Sequence, residues 1–152
     1  MIARVGREDL DELLRLMRGY CDFYEVSPSD AALLELCENL LANPETAGIQ
    51  FIARDDGGAG APTGFATLYW TFSTLAASPI GLMNDLYVDP SARGSGVGAA
   101  LIEACAAECA ARGVAILEWE TAPDNIRAQG LYDRTGAERS EWLAYTLAVT
   151  PR

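Results

Sequence analysis

The chain of 152 residues contains neither histidine nor lysine. Without histidine, the side chain that ordinarily serves as a base near neutral pH is missing. Without lysine, a phosphate loop ending in Gly-Lys-Ser/Thr cannot be present. Positive charge is scarce: all 11 basic residues are arginine, against 22 acids, for a net charge of −11. Such a surface repels phosphate backbones and anionic lipid heads, so no nucleic-acid partner and no membrane partner is expected, whereas a protonated amine is attracted. Solubilising surface charge accounts equally well for most of these acids. No apolar run is long enough to cross a bilayer and the start, Met1 to Asp9, is polar, so a cytoplasmic protein is expected. Cys21, Cys37, Cys105 and Cys109 lack metal-ligand spacing, so no metal is expected, and with no secretory segment they do not suggest a disulfide framework. Cys105 and Cys109, four apart on one helix, read as small core residues.

What is present fits one domain over residues 1–152, since 50% apolar residues suffice for a substantial core. The informative stretch is Leu82 to Glu103, which reads as an apolar strand through Val88, a turn at Asp89-Pro90, a glycine-rich loop and a helix. Unpaired N–H groups and the dipole at such a helix start favour an anion. Gly94, Gly96 and Gly98 allow positive φ or close approach of a ligand. Gly94-Ser95-Gly96-Val97-Gly98-Ala99 matches the dinucleotide pattern G-x-G-x-x-G/A, with Glu118 near the acidic position downstream. Against a nicotinamide-dependent enzyme, five residues separate strand from glycines where a tight turn is usual, and too little chain follows for further βαβ repeats.

The run Arg93-Gly94-Ser95-Gly96-Val97-Gly98, entered from Asp85-Leu86-Tyr87-Val88, resembles the pyrophosphate-binding motif of the GNAT superfamily of acyl-CoA-dependent N-acyltransferases. A second segment, with Asn125, Ala128, Leu131, Tyr132, Gly136 and Ala137, resembles that superfamily's Asn-x-x-Ala-x-x-Leu-Tyr-x-x-x-Gly-Phe/Ala motif. Two motifs in order, about 30 residues apart, are far more specific than one glycine loop. The likeness is close from about Gly64 to Leu147, and Asn84 to Val88 with Trp119-Glu120-Thr121 look most like the small amine and polyamine acetyltransferase branch.

Read in order, Ala3 to Val5 predicts a short strand, and Leu10, Leu13, Leu14, Leu16 and Met17 mark a helix over Arg7 to Tyr20. Tyr20 to Pro28 breaks it, and Ser29-Asp30 can cap a second helix over Ala31 to Ala42. Strands are predicted at Ile49 to Arg54 and Gly64 to Ser73, joined by a glycine-containing loop, Asp55 to Pro62. A helix over Val97 to Arg112 ends at Gly113, Val114 to Thr121 is a strand parallel to the anchor strand, a helix covers about Asn125 to Thr135, and Glu141 to Val149 is a last strand. The pattern predicts an α/β domain with a mixed, mostly antiparallel sheet flanked by about four helices. The resemblance adds that the one parallel strand pair splays apart.

The resemblance also implies acetyl-CoA as co-substrate. Its pyrophosphate would sit on the amides of Arg93 to Gly98, with charge from Arg93, and its pantetheine along Leu86 to Val88, which are otherwise plain strand core. Asn125 would hydrogen-bond the pantetheine arm or hold its own helix. Tyr132 would donate a proton to the departing thiolate; its other reading is an aromatic packed on the sheet. A small-molecule amine acceptor, polyamine-like, fits both branch and charge, with Tyr20, Asp22, Tyr24 and Glu25 as cation contacts or a solvated loop, and Trp70 and Trp119 as pocket lining or core. Attack requires a neutral amine, and at pKa 10.4 only about 1 in 2,500 molecules is neutral at pH 7, a cost of roughly 4.6 kcal/mol. With no histidine, a carboxylate must take the proton directly or through water: Asp85 first, since alternation points it away from Asn84 and Leu86, and Glu120 second. Either carboxylate could instead be a structural hydrogen-bonding partner. The polyamine branch often carries a Glu-Asp pair where this chain has Asn84-Asp85. A non-catalytic acyl-CoA sensor stands as an alternative, as does a protein or peptide amine as acceptor, and a homodimer enters by analogy alone.

Overall fold

The computed structural model describes residues 1–55 and 60–150. They fall into two compact units, Met1–Glu120 and Thr121–Arg152. Within the expected loop from Asp55 to Pro62, residues 56–59, Gly57 and Gly58 among them, lie outside the described residues.

The first unit is a five-stranded sheet in the order β1-β2-β3-β4-β5, made of β1 (Ile2–Arg4), β2 (Gly48–Arg54), β3 (Pro62–Ser73), β4 (Ser78–Val88) and β5 (Leu117–Glu118). All neighbours are antiparallel except β4 and β5, as the mixed, mostly antiparallel expectation has it. Three helices cover it: α1 (Leu10–Phe23), α2 (Asp30–Ala42) and α3 (Val97–Ala111). On one face, Leu13, Leu16 and Met17 of α1 and Cys37 of α2 pack on Ile52, Phe65 and Tyr87. Ser29 caps α2 by accepting the Ala32 N–H at 3.2 Å. On the other face α3 lies close to the strands because Gly81 has no side chain; a Cβ there would sit 2.5 Å from Cys109 Sγ.

The nicotinamide alternative is excluded by this topology. A dinucleotide fold needs consecutive parallel strands joined by helices, and here the strands lie side by side in sequence order with a single parallel pair.

Two strands depart from expectation. β5 pairs at only two positions, Gly81 with Leu117 and Leu82 with Glu118, where a strand from Val114 to Thr121 was predicted. The second unit contains α4 (Ile126–Tyr132), and Glu141 to Val149 forms no ladder, leaving Trp142, Leu143, Tyr145, Leu147 and Val149 exposed. High β-propensity measures fit to a pleated, half-buried surface; this unit by itself contains no second strand among its described residues to provide one.

Candidate active site

The glycine loop has the geometry of an anion cradle. Asp89 opens it by accepting the Ser91 N–H at 2.9 Å, and the hydrogen bonds from Ser91 hold its carboxyl below the usual carboxylate range. Gly94 and Gly96 then take φ of +88° and +89°, a region that costs a side-chain-bearing residue strain, and Gly96 caps α3. A Cβ at either position would meet nothing within 4 Å, so the loop backbone faces open space. The first N–H groups of α3, beginning at Val97 and Gly98, have no intrahelical acceptor and supply the positive end of the helix. Ser95 Oγ donates to Ala92 O at 2.6 Å, which ties its hydroxyl into the loop. Arg93 donates through Nε to the Val88 carbonyl at 3.1 Å, pinning the loop to the end of β4. That carbonyl is therefore already engaged by the protein.

The β4–β5 ladder stops at Leu82 and Glu118, while β4 runs on to Val88. Among the described residues, Met83 to Val88 have no ladder partner on that side, and they lead directly into the cradle. Leu86 and Val88 are half-buried. Their inner ladder is complete, with Ala66 opposite Leu86 and Gly64 opposite Val88.

Asp85 lies just where β4 is irregular. Thr67 faces Asp85 but the next residue of β3, Leu68, faces Met83, so Asn84 is an extra residue in β4. A bulge breaks two-residue alternation. The expectation that Asp85 points away from Asn84 is corrected accordingly: Asn84 Nδ2 donates to Asp85 Oδ1 at 3.0 Å. The hydroxyls of Thr67 and Tyr20 bond the same carboxylate. Burial nevertheless outweighs these three donors and pushes the Asp85 pKa above its ordinary value. A carboxylate whose charged form burial disfavours, held by ordered donors, is suited to accepting a proton.

Around it the sheet is polar and largely closed. Thr67 and Gln50 are 0% and 4% exposed, and Gln50 Nε2 donates to Thr67 Oγ1 at 3.1 Å. Burial, with the Asp85 and Cys37 charges adding to it, pushes the Tyr69 phenol up to about 12. Tyr69 is therefore a donor at all working pH values, not a base. None of these three residues was singled out from sequence. Alternation along β3 puts Phe65, Thr67 and Tyr69 on one face, which was the available signal; Gln50 joins them only through the strand register.

The other expected residues separate into groups. Tyr20 stacks edge-on against Tyr24 at 5.0 Å between ring centroids and against Phe65 at 5.9 Å, so an aromatic path leads from the surface to Asp85. Asp22, Tyr24 and Glu25 are exposed at the end of α1. Trp70 faces the other side of the sheet, its ring 4.3 Å below the Arg112 guanidinium and its Nε1 donating to Pro44 O at 2.9 Å. It shares no face with Asp85 and packs against the end of α3. Trp119 is half-buried and Glu120 exposed, both beyond the end of β5. In the second unit, Asn125 Oδ1 caps α4 by accepting the Ala128 N–H at 3.2 Å, and Tyr132 is the last residue of that helix. Among the described residues, no cluster of three or more acids or cysteines is placed to hold a metal, and no helix is long and apolar enough to cross a membrane.

Comparison with known proteins agrees with this geometry. The chain is 29% identical to the uncharacterized N-acetyltransferase YhfO of Bacillus subtilis (strain 168) over 149 residues, 97% of each protein. The crystal structure of a probable acetyltransferase superposes with a TM-score of 0.84 at 27% identity, covering 100% of this chain and 99% of that one. AAC(6')-Iy in complex with the bisubstrate analogue CoA-S-monomethyl-acetylneamine shares the fold, with a TM-score of 0.81 at 24% identity over 99% and 98% of the two chains. The model of the acetyltransferase (GNAT) family matches residues 12–137, and the chain belongs to that family as an acyl-CoA-dependent N-acetyltransferase.

Proposed function

We propose that this enzyme transfers the acetyl group of acetyl-CoA to a primary amine of a small, cationic, polyamine-like acceptor, by direct attack within a ternary complex. The observation that carries the proposal is Asp85, a desolvated carboxylate with three hydrogen-bond donors, beside the strand edge that opens toward the glycine loop. The amides of Arg93 to Gly98 hold the pyrophosphate, and the outer edge of the Arg93 guanidinium adds charge. The open edge of β4 at Leu86 receives the pantetheine, and a backbone N–H there supports the thioester oxygen as charge builds on it. A neighbour of the same fold holds a CoA-linked bisubstrate analogue, which supports a complex in which both substrates are bound together.

The acceptor ammonium gives up a proton to Asp85, directly or through water. Its nitrogen lone pair then bonds to the thioester carbonyl carbon, and collapse of the adduct breaks the C–S bond. The leaving thiolate takes a proton from Tyr132, a role that rests on the motif around it; the second proton, shed by the acylated nitrogen, restores the Tyr132 phenol, and Asp85 releases its proton to solvent. Asp22 and Glu25, exposed beside Tyr24, attract a second positive charge on the acceptor. The net charge of −11 favours the same class.

Thiol release from acetyl-CoA, measured across polyamines, diamines, amino acids, aminoglycosides and peptides, tests this reading. Turnover with a di- or polyamine that falls by at least a hundredfold in Asp85→Asn supports it. Turnover restricted to neutral amino acids or to peptides overturns the acceptor class, and an Asp85→Asn enzyme of unchanged kcat overturns the base.

A further inference from the structure

Gln50 is almost wholly enclosed, yet it lies two strands away from the carboxylate at the centre of the site. The strand register explains its reach. Gln50 faces Thr67 across β2 and β3, and Thr67 faces Asp85 across β3 and β4, so the three side chains form one row across the sheet. Gln50 Nε2 donates to Thr67 Oγ1 at 3.1 Å. The same side chain hydrogen-bonds the Cys37 thiol of α2, which holds it in place from the helix side.

A threonine hydroxyl has one proton and two lone pairs. Once the Gln50 amide donates into Oγ1, the hydroxyl proton must point elsewhere, and the acceptor in line is Asp85. We propose that Gln50 is a positioning residue for the base: it sets the Thr67 hydroxyl as a donor to the Asp85 carboxylate and so fixes the pH at which that carboxylate becomes available. The proposal rests on the reading of Asp85 as the base.

The other groups facing Asp85 do not offer a competing switch. They are Tyr20 from α1, Cys37 from α2, Tyr69 from β3 and the uncharged Asn84 beside it. Burial pushes the Cys37 thiol and the Tyr69 phenol up, so both stay neutral while Asp85 titrates. Tyr20 and Asn84 bond the carboxylate itself.

The test is the 13C carboxyl titration of labelled aspartate, assigned through Asp85→Asn, read beside kcat. In Gln50→Met the volume is kept and the donor lost. The Thr67 hydroxyl can then turn away, the charged form of Asp85 loses a bond, and its midpoint rises by about one pH unit. At a pH well below the wild-type midpoint the ionised fraction, and with it kcat, falls about tenfold, while KM for acetyl-CoA is unchanged. Thr67→Val produces the same rise, Thr67→Ser restores the wild-type midpoint, and Gln50→Met combined with Thr67→Val adds nothing further. A midpoint that stays within a few tenths of a unit in folded Gln50→Met, or additive shifts in the double variant, overturns the proposal. Should Gln50→Met fail to fold, Thr67→Val against Thr67→Ser decides it on the same titration. An Asp85→Asn enzyme that keeps its kcat identifies a different failure, that of the base assignment, and the proposal falls with it even though the titration shift persists.

Discussion

Glu25 stands where a glycine normally would. The last turn of α1 closes with the Glu25 N–H on Asp22 O at 3.1 Å and the Val26 N–H on Cys21 O at 3.1 Å, the paired bonds of a Schellman motif. The residue between them must be left-handed, and Glu25 has φ of +56°. For a residue with a Cβ this costs about 1–2 kcal/mol, whereas glycine adopts it freely but loses more chain entropy, about 0.5–1 kcal/mol. Glu25→Gly is therefore expected to stabilise the enzyme by about 0.5–1 kcal/mol, or about 1–4 °C in Tm for a chain of this size. Strain kept in an exposed acid beside Tyr24 and Tyr20 has an explanation if Glu25 binds the acceptor. The same variant should then raise KM for a diamine several-fold, leave KM for acetyl-CoA alone, and lose part of its salt dependence. Thermal melts and initial rates on one preparation separate the two halves. A Tm that does not rise refutes the strain; a Tm that rises with an unaltered amine KM refutes the contact.

Asp85→Asn should stabilise the protein at about pH 8 and lose that advantage toward about pH 4. Because its folded pKa is raised, the neutral carboxyl is the form the fold prefers, and stability falls as pH rises from the ordinary carboxylate value through the folded one; an Asn variant no more stable than wild type at about pH 8 contradicts this. Arg54 bonds Asp9 at 2.6 Å and Glu12 at 2.5 Å with its own side chain only 15% exposed. Arg54→Met leaves two crowded acids without their partner, so we expect a loss of about 3 kcal/mol in urea unfolding, and a loss below about 1 kcal/mol would show the pair to be solvated. Gly96→Ala meets no neighbour, so its cost to the unliganded protein is that of the backbone, about 1–2 kcal/mol. KM for acetyl-CoA should rise tenfold or more if the loop backbone approaches the pyrophosphate, and a KM within twofold of wild type would place the ligand elsewhere.

The local signals were legible. Ser29, the apolar spacing of α1 and the Arg93 to Gly98 loop act within a few residues of themselves, and helix caps and positive-φ turns follow directly from such stretches. The sequence expectation broke α1 at Tyr20, yet the helix continues to Phe23, since nothing before Glu25 forces a stop. What sequence could not supply was register. Whether Tyr69 or Trp70 faces Asp85 depends on where β3 pairs with β4, and two adjacent aromatics in a strand look alike until that is known. Gln50 was invisible for the same reason, being polar in a strand whose two flanking residues, Ile49 and Phe51, are apolar and buried. The strand expected at Glu141 to Val149 failed because propensity cannot provide a ladder partner.

The bulge at Asn84 connects these findings. It sits one residue beyond Met83 and two beyond Leu82, the last residue of β4 to pair with β5. A bulged strand bends and gains twist at the extra residue. The position that resets side-chain alternation, bringing Asn84 and Asp85 together, is thus also where β4 and β5 part. One inserted residue turns a carboxylate toward the row formed by Thr67 and Gln50, and the backbone edge left open beyond it runs to Val88 and into the glycine loop. On the proposed function, an acyl donor lying along that edge and a base anchored in the adjacent row would be two consequences of a single irregularity. Alternation read from the sequence pointed Asp85 away from Asn84 because it assumed a regular strand, and β4 carries its extra residue at that position.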